Sequence, residues 1–385
     1  MAKMHLPGSG DHGDGDDDRG GRPVGPDGTD RTDRTDAVDG ADGTDRTDRR
    51  RRGEDAGAEA YGPSPAVERN APDSPSKLPK PRWGKVFKGA LKEFKDDELT
   101  DRAAALTYYA VLSLFPALLV LISLLGIMGK SATDRVMDNI TKLAPGPARD
   151  VLTKAVEQLQ DGAGIGSIMA IVGLVLAVWS ASGYVAGFIR ASNAVYDIPE
   201  GRPVWKVLPV RVGITLVLMV MTAASAVIVV FTGGLARQVG TTLGIGDTAL
   251  TVWSFVKWPV LIILVTLMIA LLYWAAPNAK VKGFRWITPG SFLALFLWIL
   301  ASVGFAFYVA NFGSYNKTYG TMAGVVVFLI WLWITNLAIL LGLEFDAETV
   351  RQRAIAGGHP PTDEPYTQPR DTTAWDEDDR RRMEE

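Results

Sequence analysis

The side chains best suited to chemistry within the apolar part of this chain are a few hydroxyls and one amide. Asn336 lies near the middle of the last of six long apolar stretches, and an amide in hydrocarbon needs a hydrogen-bond partner on a neighbouring helix. Polar residues at comparable depth occur in the first and second stretches. We therefore predict a polar seam inside a helix bundle, formed by Tyr108, Tyr109, Ser180, Ser182 and Asn336. The seam either holds the helices together or lines a pathway.

Charged residues at the ends of the apolar stretches form a second candidate group. Asp101, Arg102 and Arg190 lie at the ends of the first and second stretches, and Glu344 and Asp346 end the last one. If these helices are neighbours, we expect ion pairs such as Arg190 with Glu344. This predicted cytoplasmic rim acts either as a structural anchor or as a gate or substrate funnel.

The polar loop before the last stretch is a third candidate. Tyr315, Asn316, Lys317 and Tyr319 lie within YNKTYG, where Lys317 is the one charged residue. Tyrosine suits the depth of lipid headgroups because its ring is apolar and its hydroxyl bonds to water. We predict that these residues form the external mouth, either as an interfacial belt or as a contact for a headgroup or substrate.

Several classes of chemistry lack the residues that they require. The chain has no cysteine, and its 3 histidines, His5, His12 and His359, lie outside the apolar part. Metal-dependent hydrolysis needs histidine and carboxylate ligands, and a serine hydrolase needs a histidine base. A phosphate-binding P-loop is also missing from the sequence. We therefore expect a protein that is not an enzyme, with no catalytic residue, cofactor or metal.

The polarity of the chain changes sharply along its length. The 385 residues carry a net charge of −3 and 47% are hydrophobic, but the apolar residues are concentrated between about Leu106 and Phe345. Residues 1–80 contain the repeated TDRTD and almost no large apolar side chain, so burial cannot offset the entropy of ordering them. We predict disordered tails at 1–80 and 349–385 around a membrane domain at 100–348.

Residues 81–99 are predicted to form an amphipathic helix. Apolar side chains recur at helical spacing, and lysines occupy the opposite face: Trp83, Val86, Phe87, Ala90, Leu91 and Phe94 against Lys85, Lys88, Lys92 and Lys95. Each lysine gains about 1 kcal/mol near an anionic cytoplasmic leaflet. The helix is therefore predicted to lie in the membrane surface and to bind anionic lipid. The alternative is a helix packed on the protein's own cytoplasmic loops.

Six stretches are long enough to cross a membrane, since about 20 apolar residues span roughly 30 Å of hydrocarbon. They are approximately Ala105–Met128, Ile168–Ile189, Val210–Gly233, Val252–Ala276, Ile287–Ala310 and Met322–Leu343. Lysine and arginine cluster before the first, between the second and third, between the fourth and fifth, and after the sixth. By the positive-inside rule both termini are cytoplasmic, and the loop from Gly129 to Ser167 is outside.

Four separated segments resemble one known family. They are Leu99–Gly126, Arg190–Asp197, Pro277–Gly290 and the segment FGSYNKTYGTMAGVVVFLIWLWITNLAILLGLEFDAE that ends at Glu348. In this order they are similar to the BrkB/YihY family of bacterial inner-membrane proteins, over roughly Trp83 to Arg353. The resemblance implies an all-α membrane protein with a six-helix transmembrane bundle and cytoplasmic ends. Members have been called virulence factors, transporters and, by an older name, ribonuclease BN.

Three function classes remain open. The first is a transporter-like permease, which leads; the second is a non-transporting scaffold for envelope assembly; the third is a membrane enzyme acting on lipid. No span carries a carboxylate or lysine at its centre, which disfavours an ordinary ion-coupled relay. We expect a multi-pass protein of the cytoplasmic membrane, with the lipid bilayer as its partner, a homo-oligomer among its assembly states, and no nucleic acid.

Overall fold

The chain is all-α wherever its structure is described. A computed structural model describes residues 60–127, 166–230, 247–281, 283–311 and 321–384, which belong to the compact unit Arg49–Glu385. No β-strand occurs among these residues. Their helices, in chain order, are α1 (Pro65–Asn70), α2 (Lys80–Asp96), α3 (Leu99–Ile127), α4 (Gly166–Val195), α5 (Val204–Val230), α6 (Asp247–Ala275), α7 (Phe284–Asn311), α8 (Thr321–Ala356) and α9 (Glu377–Glu384).

Five of the long helices, α4 to α8, can cross a membrane by length and composition. Their candidate spans are Ile171–Val195, Val204–Ser225, Thr248–Ala275, Pro289–Val309 and Gly324–Ala356. Large apolar side chains point outward along them, as in Phe255 and Phe307, which are 72% and 73% exposed. Such an apolar surface suits hydrocarbon rather than water. The remaining long helix, α3, has 29 residues and occupies the place of the first predicted span.

The six long helices are arranged as a closed ring. Each of them packs against its neighbours in the chain, α8 packs back on α3, and α4 also contacts α8. The contact between α3 and α4 uses small residues, because a Cβ added to Gly187 would meet the Tyr109 ring at 3.0 Å. Gly183 and Gly187, two small residues four positions apart, therefore serve packing. In contrast, a Cβ added to Gly324 on α8 would meet nothing within 4 Å.

A close helix crossing, between α7 and α8, was not predicted. A Cβ at Gly342 would lie 2.5 Å from the Gly290 carbonyl oxygen and 2.7 Å from the Ala294 Cβ. The Gly290 N–H donates a 2.7 Å hydrogen bond to the Asp346 carboxylate. Two glycines and one acid therefore determine how α7 and α8 cross.

Both described ends of the chain pack at one end of the ring, which we call the tail side. There, residues 60–79, 196–203, 276–281 and 357–384 form a collar. Asn278 connects three parts of it, since its N–H donates to Asn193 at 2.7 Å and its amide donates to the carbonyls of Pro199 and Asp371. Arg353 pairs with Glu68 at 2.9 Å.

The collar includes residues from both segments that were predicted to be disordered. Residues 60–80 contain α1, and α8 continues to Ala356, beyond the predicted domain end at residue 348. Trp375 is 4% exposed and its indole N–H donates to the Pro199 carbonyl. These residues are ordered because their few apolar and amide groups pack on the helix ends, which local composition does not reveal. Residues 1–59 lie outside the described part of the chain.

The predicted helix at 81–99 corresponds to α2, which packs on the tail-side end of α8. Val86 and Ala90 are buried, and the Trp83 ring stacks on Phe345 with centroids 6.0 Å apart. Phe87 and Leu91 remain 56% and 49% exposed. One edge of the helix therefore packs on α8, where the predicted alternative had loops, while a second apolar edge stays exposed.

Candidate functional site

A charged cavity near the predicted rim lies at the tail-side ends of α3 and α4. This rim pocket has a volume of about 510 Å³ and opens to solvent. Its charged lining consists of Asp97, Arg102, Arg190, Asp197, Glu200, Glu364 and Arg382. Charges of both signs therefore face one space that is large enough for a small solute.

Local backbone geometry positions the acids of the rim pocket. Asp197 follows the last turn of α4 with φ +54°, a left-handed conformation that aspartate tolerates at a helix C-terminus. Glu200 is held by Asn193 at 3.0 Å and by Arg202 at 2.7 Å. Arg202 also donates to the Ala276 carbonyl at 2.8 Å, which ties the pocket wall to the end of α6.

The structure separates the predicted rim residues. Arg102 and Arg190 line the rim pocket, but exposed Asp101 does not. Arg190 donates to the Tyr109 hydroxyl at 3.1 Å and lies over the Tyr109 ring. The suggested ion pair of Arg190 with Glu344 is absent between these two described residues. The reason is that Arg190 is at an exposed position, whereas Glu344 turns into the bundle and is 2% exposed.

Glu344 instead lines a second, much smaller cavity between α2, α8 and the collar. This acid pocket has a volume of about 30 Å³, and its titratable lining is Glu93, Tyr196, Asp197, Glu344, Glu348, Arg351 and Tyr366. Arg351 pairs with Glu93 at 2.9 Å and lies 3.7 Å from Glu348. Asp197 lines both pockets, so it connects the two groups of charged residues.

Three buried side-chain oxygens in the described part of the chain have no hydrogen-bond partner, and all lie at this end of the bundle. They are the Tyr196 hydroxyl, Glu344 Oε2 and Asp346 Oδ2. An unsatisfied buried polar group costs about 1–3 kcal/mol. Such a cluster in a native fold calls for an explanation, such as a proton, an ion or a water.

Two acids of the rim pocket have raised pKa values. Burial raises the pKa of Asp97 to about 6, with repulsion from Glu93 adding to it. Burial by the surrounding protein also raises the pKa of Asp197 to about 7, followed by repulsion from Glu364, although the Asp197 side chain still reaches solvent. Because folding raises these pKa values, their contribution to stability falls as pH rises from about 4 to about 7.

Asn336 is buried between three helices. Its amide donates to the Thr107 hydroxyl at 3.0 Å, and its carbonyl accepts from the Tyr184 hydroxyl at 2.8 Å. Neither partner belonged to the predicted seam. Asn336 thus joins α8 to α3 and α4, which accounts for its position whether or not it also lines a pathway.

The other members of the predicted seam do not meet Asn336. Tyr108 is 61% exposed, which corrects its placement inside the bundle. Tyr109 faces α4 and Arg190, and Ser182 accepts from Arg211 at 2.7 Å. Ser180 donates at 2.9 Å to the Leu112 carbonyl. Similar depth was not sufficient for a seam, because adjacent helical residues differ in direction by about 100°.

Asn336→Leu is expected to weaken the packing of α8 on α3 and α4. Interhelical hydrogen bonds in membranes contribute about 0.6–1.7 kcal/mol each, so losing two of them should lower the melting temperature in detergent. Ser254→Ala is the control, because that hydroxyl bonds to the Thr251 carbonyl of its own helix. An Asn336→Leu protein that melts like the wild type would contradict this role. Loss of function in a stable variant would instead favour a pathway.

Several residues at the site were missed by sequence reasoning. Thr107 and Tyr184 could have been found from the helical phase, since Tyr184 lies four residues after Ser180 and three before Gly187. Glu364 and Arg382 belonged to a tail that was predicted to be disordered. The predicted external mouth, Tyr315, Asn316, Lys317 and Tyr319, lies outside the described residues. Within the described ranges, no group of three histidine, aspartate or glutamate side chains could hold a metal ion.

Comparison with known proteins gives a family match. A family model described as virulence factor BrkB matches residues 90–367. The ribonuclease-like protein YfkH of Bacillus subtilis (strain 168) is 29% identical over 259 residues, which cover 67% of this chain and 93% of that protein. A UPF0761 membrane protein of Mannheimia succiniciproducens is 26% identical over 274 residues, covering 69% of this chain and 89% of that protein.

A second UPF0761 membrane protein, from Alkalilimnicola ehrlichii, is 28% identical over 270 residues, covering 66% of this chain and 56% of that protein. No solved structure gives a significant match. The BrkB model covers well over half of the chain, and five helices can span a membrane. This protein therefore belongs to the BrkB family and is a multi-pass membrane protein.

Proposed function

We propose that this chain is a transporter-like protein of the cytoplasmic membrane, with a route that opens at the tail side through the rim pocket. The observation that carries the proposal is a solvent-open space of about 510 Å³ at the end of a closed helix ring, lined by both acids and arginines. Mixed charges suit a small charged or zwitterionic solute, because each ionic group finds an opposite partner. The residues proposed to receive it are Arg102, Arg190 and Asp197.

The proposal includes six spans and a cytoplasmic tail side. Helix α3 is as long as the other spans and packs within the same ring, which supports counting it as the first span. Basic residues concentrate at the tail side, including Lys85, Lys88, Arg102, Lys206 and Lys280. The positive-inside rule places such a surface in the cytoplasm.

A non-transporting scaffold for envelope assembly is the second candidate. It is favoured by the collar, in which Trp375, Asn278 and Arg353 order the chain ends into a defined surface. A lipid-acting enzyme ranks third, because the described pockets do not combine a nucleophile with a general base. We propose a role without catalysis, and without RNA cleavage in particular; an RNA-hydrolysis assay of the purified protein tests that part.

The natural absence of cysteine allows a direct experiment. Ala194→Cys places one thiol in the lining of the rim pocket. A membrane-impermeant maleimide should label it in inside-out vesicles and not in intact cells. In proteoliposomes, ion or solute flux above that of protein-free vesicles should fall when this thiol is labelled.

Two further single-cysteine variants serve as controls. Glu377→Cys, on exposed α9, should label from the same side as Ala194→Cys, but labelling there should leave flux unchanged. Asp161→Cys, in the loop predicted to be external, should label from the opposite side. Labelling of all three from one side would refute the orientation. If no flux is detected, or if flux is the same before and after labelling of Ala194→Cys, the result would favour the scaffold.

We also propose that α2 binds anionic lipid at the membrane surface. At about 100° per residue, exposed Phe87 and Leu91 lie between the face buried on α8 and the lysine face. Lys85, Lys88, Lys92 and Lys95 are all exposed. An apolar edge bordered by lysines suits the boundary between headgroups and acyl chains.

An environment-sensitive dye on Leu91→Cys should report this contact in the full-length protein. Its emission should shift to the blue in nanodiscs that contain anionic lipid, because the helix edge enters an apolar region. Changing Lys85, Lys88, Lys92 and Lys95 to Gln, or raising the salt, should reverse most of the shift. The same dye on Glu377→Cys is the control. Emission that is equal in neutral and anionic nanodiscs would contradict the proposal.

A further inference from the structure

The acid pocket contains a carboxyl group whose environment is hard to reconcile with a fixed negative charge. Glu344 is 2% exposed, and its Oε2 has no hydrogen-bond partner in the described structure. An isolated buried carboxylate is strongly disfavoured, and proteins normally pair it with a cation or neutralise it. Arg351 lines the same pocket, but it pairs with Glu93 and not with Glu344.

The groups that face Glu344 from the surrounding elements are mostly acidic. Helix α2 and its C-terminal end contribute Glu93 and Asp97, the end of α4 contributes Tyr196 and Asp197, α8 itself contributes Glu348 and Arg351, and the collar contributes Tyr366. Four carboxylates and one arginine leave an excess of negative charge around Glu344. Repulsion and burial therefore act in the same direction, against ionisation of this group.

We infer that Glu344 is a proton-binding site, which takes up and releases a proton through the acid pocket on the tail side. A neutral Glu344 needs no cation and costs less to bury than a carboxylate, and its O–H can donate to a water molecule. A divalent metal is not the occupant, since the described residues provide no group of three carboxylate or histidine ligands. The volume of about 30 Å³ exceeds the roughly 10–15 Å³ that a water molecule requires.

The two pockets supply a route for this proton. Asp197 lines both the rim pocket and the acid pocket, so its carboxyl group can exchange protons with either space. Its pKa of about 7 allows it to accept and donate protons near neutral pH. In each exchange a hydronium ion of the rim pocket gives its proton to a carboxylate and leaves a water molecule. Asp197 is thus assigned as the relay, and Glu344 as the internal acceptor.

This inference deepens the proposed function, but its test does not depend on transport. Infrared spectroscopy of the purified protein in nanodiscs detects the C=O stretch of protonated carboxyl groups. We expect wild-type protein at neutral pH to show such a band, with one component lost in Glu344→Gln. That component should persist to higher pH than the components of exposed acids. Asp346→Asn separates the contribution of the other buried acid, and Glu384→Gln, at an exposed position, should change nothing in this region.

A thermal measurement gives a second readout. If folded Glu344 holds a proton that the unfolded chain releases above its ordinary pKa, the folded state binds more protons, and stability must fall as pH rises. Asp97 and Asp197 contribute to the same slope, so the comparison with Glu344→Gln isolates the share of Glu344. The variant should have a flatter melting profile and should melt at a higher temperature than wild type at alkaline pH. In Asp197→Asn, proton exchange with Glu344 after a pH jump should be slower.

Either of two results would overturn the inference. One is a protonated-carboxyl band that is identical in wild type and Glu344→Gln at neutral pH, which would mean that Glu344 is ionised. The other is an ionised Glu344 together with a melting temperature that rises with sodium or potassium concentration in the wild type but not in Glu344→Gln. That result would identify a cation site. A protonated Glu344 in a protein without flux would instead refute transport and leave the proton site standing.

Discussion

Gly342→Ala is expected to disrupt the crossing of α7 and α8. The added methyl group would lie 2.5 Å from the Gly290 carbonyl oxygen and 2.7 Å from both the Ala294 Cβ and the Tyr273 hydroxyl. The first two of these neighbours are a backbone atom and a short side chain, so the helices themselves must move. Overpacking of this kind costs about 1–3 kcal/mol or more. Separation of the helices would also weaken the bond from Gly290 to Asp346.

The measurement is the melting temperature and the yield of monodisperse protein in detergent. Gly304→Ala on α7 is the matched control, because a Cβ there meets nothing within 4 Å. Alanine is favoured over glycine inside helices by up to about 1 kcal/mol, so the control should be neutral or slightly stabilising. If both variants behave alike, the close approach at Gly342 does not exist in the protein.

Trp375→Ala is expected to release the C-terminal part of the collar. Trp375 is 4% exposed, packs edge-on against Tyr61 at 5.0 Å, and donates to the Pro199 carbonyl at 3.2 Å. Removing a buried tryptophan costs about 3–5 kcal/mol. Because this segment is held at the helix ends, we expect cleavage by added protease after Ala356 to become faster while the spans remain intact.

Limited proteolysis followed by mass spectrometry measures this effect. Trp205→Ala is the control, since Trp205 is also on the tail side but is 72% exposed. The rim pocket should change with the collar, because Glu364 and Arg382 line it. Equal protease resistance in wild type and Trp375→Ala would show that the chain end does not depend on this anchor.

Features that depend on local composition were predictable from the sequence. The all-α class, five of the apolar spans and the helix at Lys80–Asp96 follow from hydrophobic runs and helical periodicity. The structure contains these helices, but some bounds differ, since α8 continues to Ala356 beyond the predicted end of the last span at Leu343. The family was also recognisable from motifs such as RASNAVYD. Such features are readable because membrane spans must satisfy their backbone groups within each segment.

Features that depend on the direction of a side chain or on partners distant in the sequence could not be predicted from the sequence. The predicted seam grouped Tyr108 and Tyr109 by depth, yet they point about 100° apart and only Tyr109 enters the bundle. The order of residues 357–384 depends on partners that are far away in the sequence. Asp371 accepts a hydrogen bond from Asn278, and the Ala374 N–H donates to the Gly201 carbonyl. Low apolar content, on which the prediction of disorder at 349–385 rested, does not reveal these partners.

The sequence by itself determined that this protein crosses a membrane, because the length and apolarity of a span are properties of one segment. It also determined that the chain contains no cysteine and that its three histidines lie outside the apolar part. Only the tertiary structure decided that Glu344 is buried in the acid pocket, away from Arg190, and that Gly290 and Gly342 meet. The reason is that burial and pairing of a charge depend on which helices become neighbours, and that choice is made by the packing of the whole ring.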